Sequence, residues 1–189
     1  YKGIEFQIIG HIKNTRTPFN VDIGIGDVIV PKAEKRAIPV QLEDFECPQV
    51  STYSLESTIS EKFDAMLQRL ELNSRMRDFF DVYFMAHTFD FDGRKLQEAI
   101  FETLQNRGTA YDRDSMRAVI ALANDSDMRT RWRQAVRRMK LPDLSFEEVV
   151  NTLQVFLGPV FDAVVNENEL LNKWSAKMQK WDGLDRTIL

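Results

Sequence analysis

The 189-residue chain has one cysteine, Cys47, and two histidines, His11 and His87. A single cysteine excludes an internal disulfide framework and a Cys-rich zinc site, and two histidines leave no stock for a His-rich metal centre. No apolar run approaches the roughly 20 residues of a membrane span, and no basic-plus-apolar leader opens the sequence. A reduced, cytoplasmic setting with no membrane contact is the expectation. There is no GxxxxGK[ST] loop, GxGxxG fingerprint, HExxH or GxSxG elbow, so the commonest phosphate, dinucleotide, zinc-protease and hydrolase sites are missing. Twenty-five Lys and Arg against twenty-nine Asp and Glu give a net charge of -4. That balance disfavours a globally basic nucleic-acid binder while leaving room for a local patch.

What remains is a globular composition, 43% hydrophobic and 29% charged. Its character changes near residue 50. Before that point Ile4, Phe6 and Ile8 alternate with polar residues, and Phe19, Val21, Ile23 and Ile25 do the same. Period-two alternation predicts half-buried strands with one face on a core. Asn14 to Pro18 predicts the turn that makes them antiparallel. Short strands are expected at Val28–Val30 and Ile38–Leu42, with an exposed loop over Lys32–Arg36.

After residue 50 the period becomes helical. Leu55, Ile59, Phe63, Met66, Leu67 and Leu70 mark a buried stripe, with Ser54 as N-cap and Glu56 in the first turn. Asn73-Ser74 ends this helix and caps a second that runs to about His87. A third is expected over Arg94–Gln105, leaving at Arg107-Gly108. Asp112 and Asp125 look like caps of two more, and Ser145-Phe-Glu-Glu148 matches a capping box. Gly158-Pro159 should interrupt that segment, and a last helix is expected over Glu169–Gln179. The fold class is α+β, a small antiparallel sheet over residues 1–50 followed by a helical bundle over 51–189.

Four groups of residues stand out chemically. Asp22 lies on the polar face of its strand, followed on that side by Gly24 and Gly26. It is either a ligand for a hard cation such as Mg²⁺ or a carboxylate facing solvent. In Ser60-Glu61-Lys62 the lysine borders the apolar stripe, either snorkelling to water or presented to a phosphate. Within Arg75-Met-Arg77-Asp78-Phe-Phe-Asp81, helical spacing offers Arg75 to Asp78 and Arg77 to Asp81. The two carboxylates could serve as general base or metal site, or be ordinary surface salt bridges. Finally, six positive charges fall within Arg129–Lys140 with no acidic residue among them. Arg129, Arg133 and Arg137 share one helical face, a phosphate-backbone contact or simply a solvated face.

The ordered set Val21-Asp-Ile-Gly-Ile-Gly-Asp27, Tyr53-Ser-Leu-Glu56, Ser60-Glu-Lys-Phe-Asp-Ala65 and Asn73-Ser-Arg-Met-Arg-Asp-Phe-Phe-Asp-Val-Tyr83 resembles the AbiEii-like nucleotidyltransferase toxins of abortive-infection and type IV toxin–antitoxin systems. Phe89-Asp-Phe-Asp-Gly93 and Arg107-Gly-Thr109 extend the likeness. The resemblance implies a polymerase-β-type nucleotidyltransferase core with appended helices, NTP as substrate, Mg²⁺, an RNA acceptor such as tRNA, and an AbiEi-type antitoxin partner. It implies metal binding by Asp22, nucleotide binding by Glu61, Lys62 and Arg77, and catalytic roles for Lys62, Asp78 and Asp81. The family's Gly-Ser…Asp-x-Asp metal element has no counterpart in these residues. The expectation is therefore a C-terminal portion of the enzyme, inactive alone; a non-catalytic RNA- or protein-binding module is the rival.

Overall fold

A computed structural model describes residues 2–26 and 29–183. The chain begins as an antiparallel ribbon, β1 (Lys2–Ile12) against β2 (Thr15–Ile25), with Phe6 opposite Val21 and Ile8 opposite Phe19. The turn is shorter than the sequence suggests. Lys13 and Asn14 alone connect the strands, Lys13 taking a left-handed backbone (φ 52°), while Pro18 sits within β2 opposite Ile9. Such two-residue turns match the twist of the ribbon, and an outer strand tolerates proline's missing donor.

The alternation holds, but the predicted burial does not. Ile4, Phe6, Ile8, Phe19, Val21, Ile23 and Ile25 form one apolar face that remains exposed, Phe19 by 49%. A two-stranded ribbon cannot bury its own face, and none of the described residues covers this one. The next pair is β3 (Glu34–Ala37) with β4 (Gln49–Thr52). Part of the expected loop at 32–36 is thus a strand, whereas Ile38–Leu42 is irregular. Ile29 and Val30 are not strand residues, and Val28 and Asp27 lie outside the described residues. The chain that leaves the ribbon is tied to the helices by side chains. Ser57 Oγ donates to the Val30 carbonyl at 2.8 Å, and Asn106 Nδ2 donates to that of Gly26 at 3.0 Å.

The helices are α1 (Leu55–Arg69), α2 (Met76–Thr88), α3 (Gly93–Arg107), α4 (Ser115–Ala121), α5 (Ser126–Met139) and α6 (Phe146–Val165). Local signals place their starts. Ser54, Asp125 and Ser145 each accept a hydrogen bond from the amide three residues on. Asn73 works one step earlier, accepting from Arg75 N at 2.8 Å. Asp112 likewise braces the approach to α4 by accepting from Asp114 N at 2.9 Å, while Asp114 holds the cap position. Gly108 closes α3 at φ +62°, the left-handed exit that glycine adopts without a Cβ penalty.

Two helical expectations fail. Pro159 lies inside α6, which continues unbroken to Val165. The proline forfeits one backbone bond, but burial of ten α6 residues in the bundle outweighs it. By length and composition α6 is also apolar enough to cross a membrane, contrary to the run-length reading. Its apolarity serves the core, where Phe156, Leu157, Val160 and Phe161 are fully buried. Second, no helix spans 169–179. Instead β5 (Phe91–Asp92), β6 (Lys173–Ser175) and β7 (Lys180–Trp181) form a small antiparallel sheet. Trp174 and Trp181 both pack on Phe156, with ring centroids 4.8 and 5.9 Å away. Their indoles donate to the carbonyls of Ala86 and Phe156. Tertiary burial of two tryptophans overrides local helix preference here.

Candidate active site and the family it belongs to

The centre of interest lies where α1 meets α2. The α1 stripe of Ile59, Phe63 and Met66 is buried without exposure, which fixes the helix rotation and turns Lys62 toward α2. The buried Phe79 and Val82 orient α2 so that Asp78 and Asp81 face back. Lys62 Nζ donates to Asp78 Oδ1 and to Asp81 Oδ2, each at 2.8 Å. Side-chain exposures of 20% for Lys62, 15% for Asp78 and 30% for Asp81 make this a half-buried cluster at the surface. Arg77 adds a looser contact, its Nε 3.8 Å from Asp81 Oδ1 with the arginine 81% exposed. Of the two helical pairs offered by spacing, Arg77–Asp81 is present and Asp78 is paired with Lys62 instead of Arg75.

Burial alone would lower the Lys62 pKa. The hydrogen bonds to Asp78 and Asp81, together with their charges, outweigh that and raise it above the ordinary 10.5. Lys62 is therefore a fixed ammonium throughout the neutral range. An ammonium has three donors, and two are committed to carboxylates, so one remains for an incoming oxygen. Asp78 Oδ2 is likewise without an ion-pair partner among the described residues.

Glu61 belongs to a different network. Its carboxylate pairs with Arg107 Nη2, and Arg107 Nη1 lies 3.1 Å from Asp64 Oδ2. Asp64 is fully buried and also accepts from Gln68 Nε2 at 2.9 and 3.0 Å and from the Thr109 hydroxyl. Burial raises its carboxyl pKa above 3.8, and the Thr109 and Gln68 hydrogen bonds pull it back. The charge of Arg107 offsets part of the same desolvation. This network joins α1 to the end of α3, and reasoning from single residues does not reach Asp64. The available signal is a carboxylate between Phe63 and Ala65, at the edge of the apolar stripe.

The remaining candidates lie apart. Asp22 is exposed on the polar face of β2, directly opposite Glu5, and joins no ion pair among the described residues. No group of three or more His, Cys, Asp or Glu side chains suited to a metal gathers among the described residues. Asp22 with Glu5 is too few ligands for a Mg²⁺ clamp. Arg129, Arg133 and Arg137 are exposed along α5, whose opposite side buries Trp132 and Ala135. Arg131 is different. It donates to the carbonyls of Glu71 at 2.6 Å and Asn73 at 3.3 Å, fastening α5 beside the start of α2.

No curated protein sequence and no solved structure matches the chain. One family model does, over residues 1–166, described as "Nucleotidyl transferase AbiEii toxin, Type IV TA system". The match takes in the ribbon, the Lys62–Asp78–Asp81 cluster, the Asp64–Arg107 network and the arginine-bearing helix. The chain belongs to the AbiEii nucleotidyltransferase toxin family.

Proposed function

We propose that this chain carries the lysine–aspartate half of an NTP-dependent nucleotidyltransferase that modifies an RNA acceptor such as tRNA. The observation that carries the reading is the Lys62 ammonium, held by Asp78 and Asp81 with one donor to spare. In the reaction an acceptor hydroxyl attacks the α-phosphate of the NTP. A new P–O bond forms, the α–β phosphoanhydride bond breaks and pyrophosphate leaves, with the hydroxyl proton passing to the carboxylate pair. Lys62 and Arg77 would meet phosphate oxygens, and Asp81, accepting from Lys62 and in ion-pair contact with Arg77, would hold them in register. Glu61 then acts through Arg107 and the α1–α3 junction, and positions the nucleotide only indirectly.

The described residues do not form a Mg²⁺ site, so no step is assigned to the metal through them. The two-carboxylate element that would hold it is proposed to belong to a segment facing the polar side of β2, where Asp22 would supply a further carboxylate. An AbiEi-type antitoxin is the proposed regulatory partner. Calorimetry with Mg²⁺ and NTP, paired with Lys62→Ala, tests the lysine centre. At least a tenfold loss of affinity is expected for the variant, and equal affinity would remove Lys62 from the reading.

The second reading is a non-catalytic RNA-binding module. It is favoured by Arg129, Arg133 and Arg137, exposed on one helix without acidic partners among the described residues. Reversing Arg133 and Arg137 to Glu should weaken RNA binding and flatten its salt dependence by roughly one unit for each phosphate no longer neutralised. An unchanged salt slope would take the stripe out of both readings.

A further inference from the structure

The outward face of α2 continues past the lysine cluster. Arg77, Asp81 and Phe84 recur at four and three residues, which places them in one line along the helix. Phe84 is 51% exposed, with the Phe80 ring against it. Its centroid lies 6.2 Å from that of Phe80, Phe80 lies 6.4 Å from Tyr83, and Tyr83 is 4.1 Å from the His87 ring. The Tyr83 hydroxyl is fastened to Glu148 Oε1 at 3.2 Å, and His87 Nδ1 lies 2.9 Å from the Tyr83 carbonyl. A single exposed phenylalanine is ordinary on a protein surface. An exposed ring backed by Phe80, one helical turn from the Lys62–Asp81 pair and with Arg77 on the same line, has a directional chemistry.

That chemistry is anion-binding at one end and π-stacking at the other. Lys62 and Arg77 offer donors at the start of α2, where the helix dipole also favours negative charge. Phe84 lies about 4.5 Å further along the axis than Asp81, at about 1.5 Å per residue, a step comparable with the ribose between a base and its α-phosphate. We propose that the exposed face of α2 is a nucleotide cradle in which the base of the NTP stacks on Phe84 while its phosphates meet Lys62 and Arg77. The inference rests on the proposed nucleotide centre and adds its base-binding half. Stacking of this kind accepts any base, so the cradle selects for a nucleobase without choosing which one.

The experiment compares Mg²⁺-NTP with Mg²⁺-tripolyphosphate, which has the anionic part alone, on the full chain by calorimetry. Wild type should bind NTP more tightly than tripolyphosphate. Phe84→Ala should weaken NTP about tenfold and leave tripolyphosphate unchanged. Phe84→Trp should retain NTP affinity and report binding by fluorescence quenching, because the native tryptophans Trp132, Trp174 and Trp181 are all buried. Tripolyphosphate bound as tightly as NTP, with Phe84→Ala altering neither, overturns the cradle and leaves the lysine centre standing. Loss of oligonucleotide affinity in Phe84→Ala with NTP affinity intact gives the ring to the acceptor and also overturns the proposal. If neither NTP nor tripolyphosphate binds at millimolar concentration, the lysine centre and the cradle fail together.

Discussion

Helix α1 carries charged residues on two flanks, and the two networks they build differ in their access to water. On one flank, Lys62 spans to Asp78 and Asp81 with every member partly exposed. On the other, Asp64 is sealed, its oxygens occupied by Arg107, Gln68 and Thr109. The sealed network satisfies a charge that has no other outlet, so its members are held by the penalty of leaving that charge alone. The open cluster keeps a donor on Lys62 and an oxygen on Asp78 that no ion pair among the described residues uses. The unused valence separates a site from a strut, and both flanks lie within four residues of sequence.

Removing the cation from the sealed side should have the largest effect. Arg107→Met leaves the Asp64 carboxylate buried with only neutral partners. We expect a loss of about 3 kcal/mol in urea unfolding, with nucleotide contacts of Lys62 retained. A loss below about 1 kcal/mol would mean that solvent reaches Asp64. On the open side, Lys62→Met should cost only about 1 kcal/mol, since Asp78 and Asp81 can turn to water.

Protonation sharpens the contrast further. The Asp64 carboxyl titrates above 3.8 in the folded chain, so the folded state holds that proton more tightly than the unfolded one. Its contribution is full below 3.8 and is lost as pH rises through the folded value. Wild type should therefore gain stability relative to Asp64→Asn as pH falls from neutrality, by a few tenths of a kcal/mol or more. A pH-independent difference between the two proteins would contradict the direction. For Lys62 the raised value gives a contribution that is full below 10.5 and is lost as pH rises through the folded value, so it should be flat from pH 6 to 9. The smallest effect is expected from Phe6→Ser on the exposed ribbon face, within about 0.5 kcal/mol for this chain.

Much of the helical half is legible in the sequence because caps act over three residues. Ser54, Asp125 and Ser145 announce their helices with a side chain that reaches only the next turn. The capping box at Ser145 forms by half. Its serine caps Glu148 N, while the Glu148 side chain is drawn away to Tyr83, 65 residues distant. Pro159 and the 169–179 segment depart from their local signals for the same reason, since bundle burial and the Trp174–Phe156 contact are made by residues far apart in sequence. The site divides similarly. Lys62 is visible as a charge at the edge of an apolar stripe, but its two carboxylates lie 16 and 19 residues away.

The sequence by itself determined the period of each segment, and with it which residues of a helix or strand share a face. Steric and hydrogen-bonding preferences that act within one turn are enough for that. Only the tertiary structure decided which faces find a partner. Among the described residues it covered the stripe of α1, left the apolar face of β1 and β2 open, closed Asp64 and kept Lys62 within reach of solvent. Burial is a property of what lies across the gap, and a charge becomes a strut or a site according to the water that remains there.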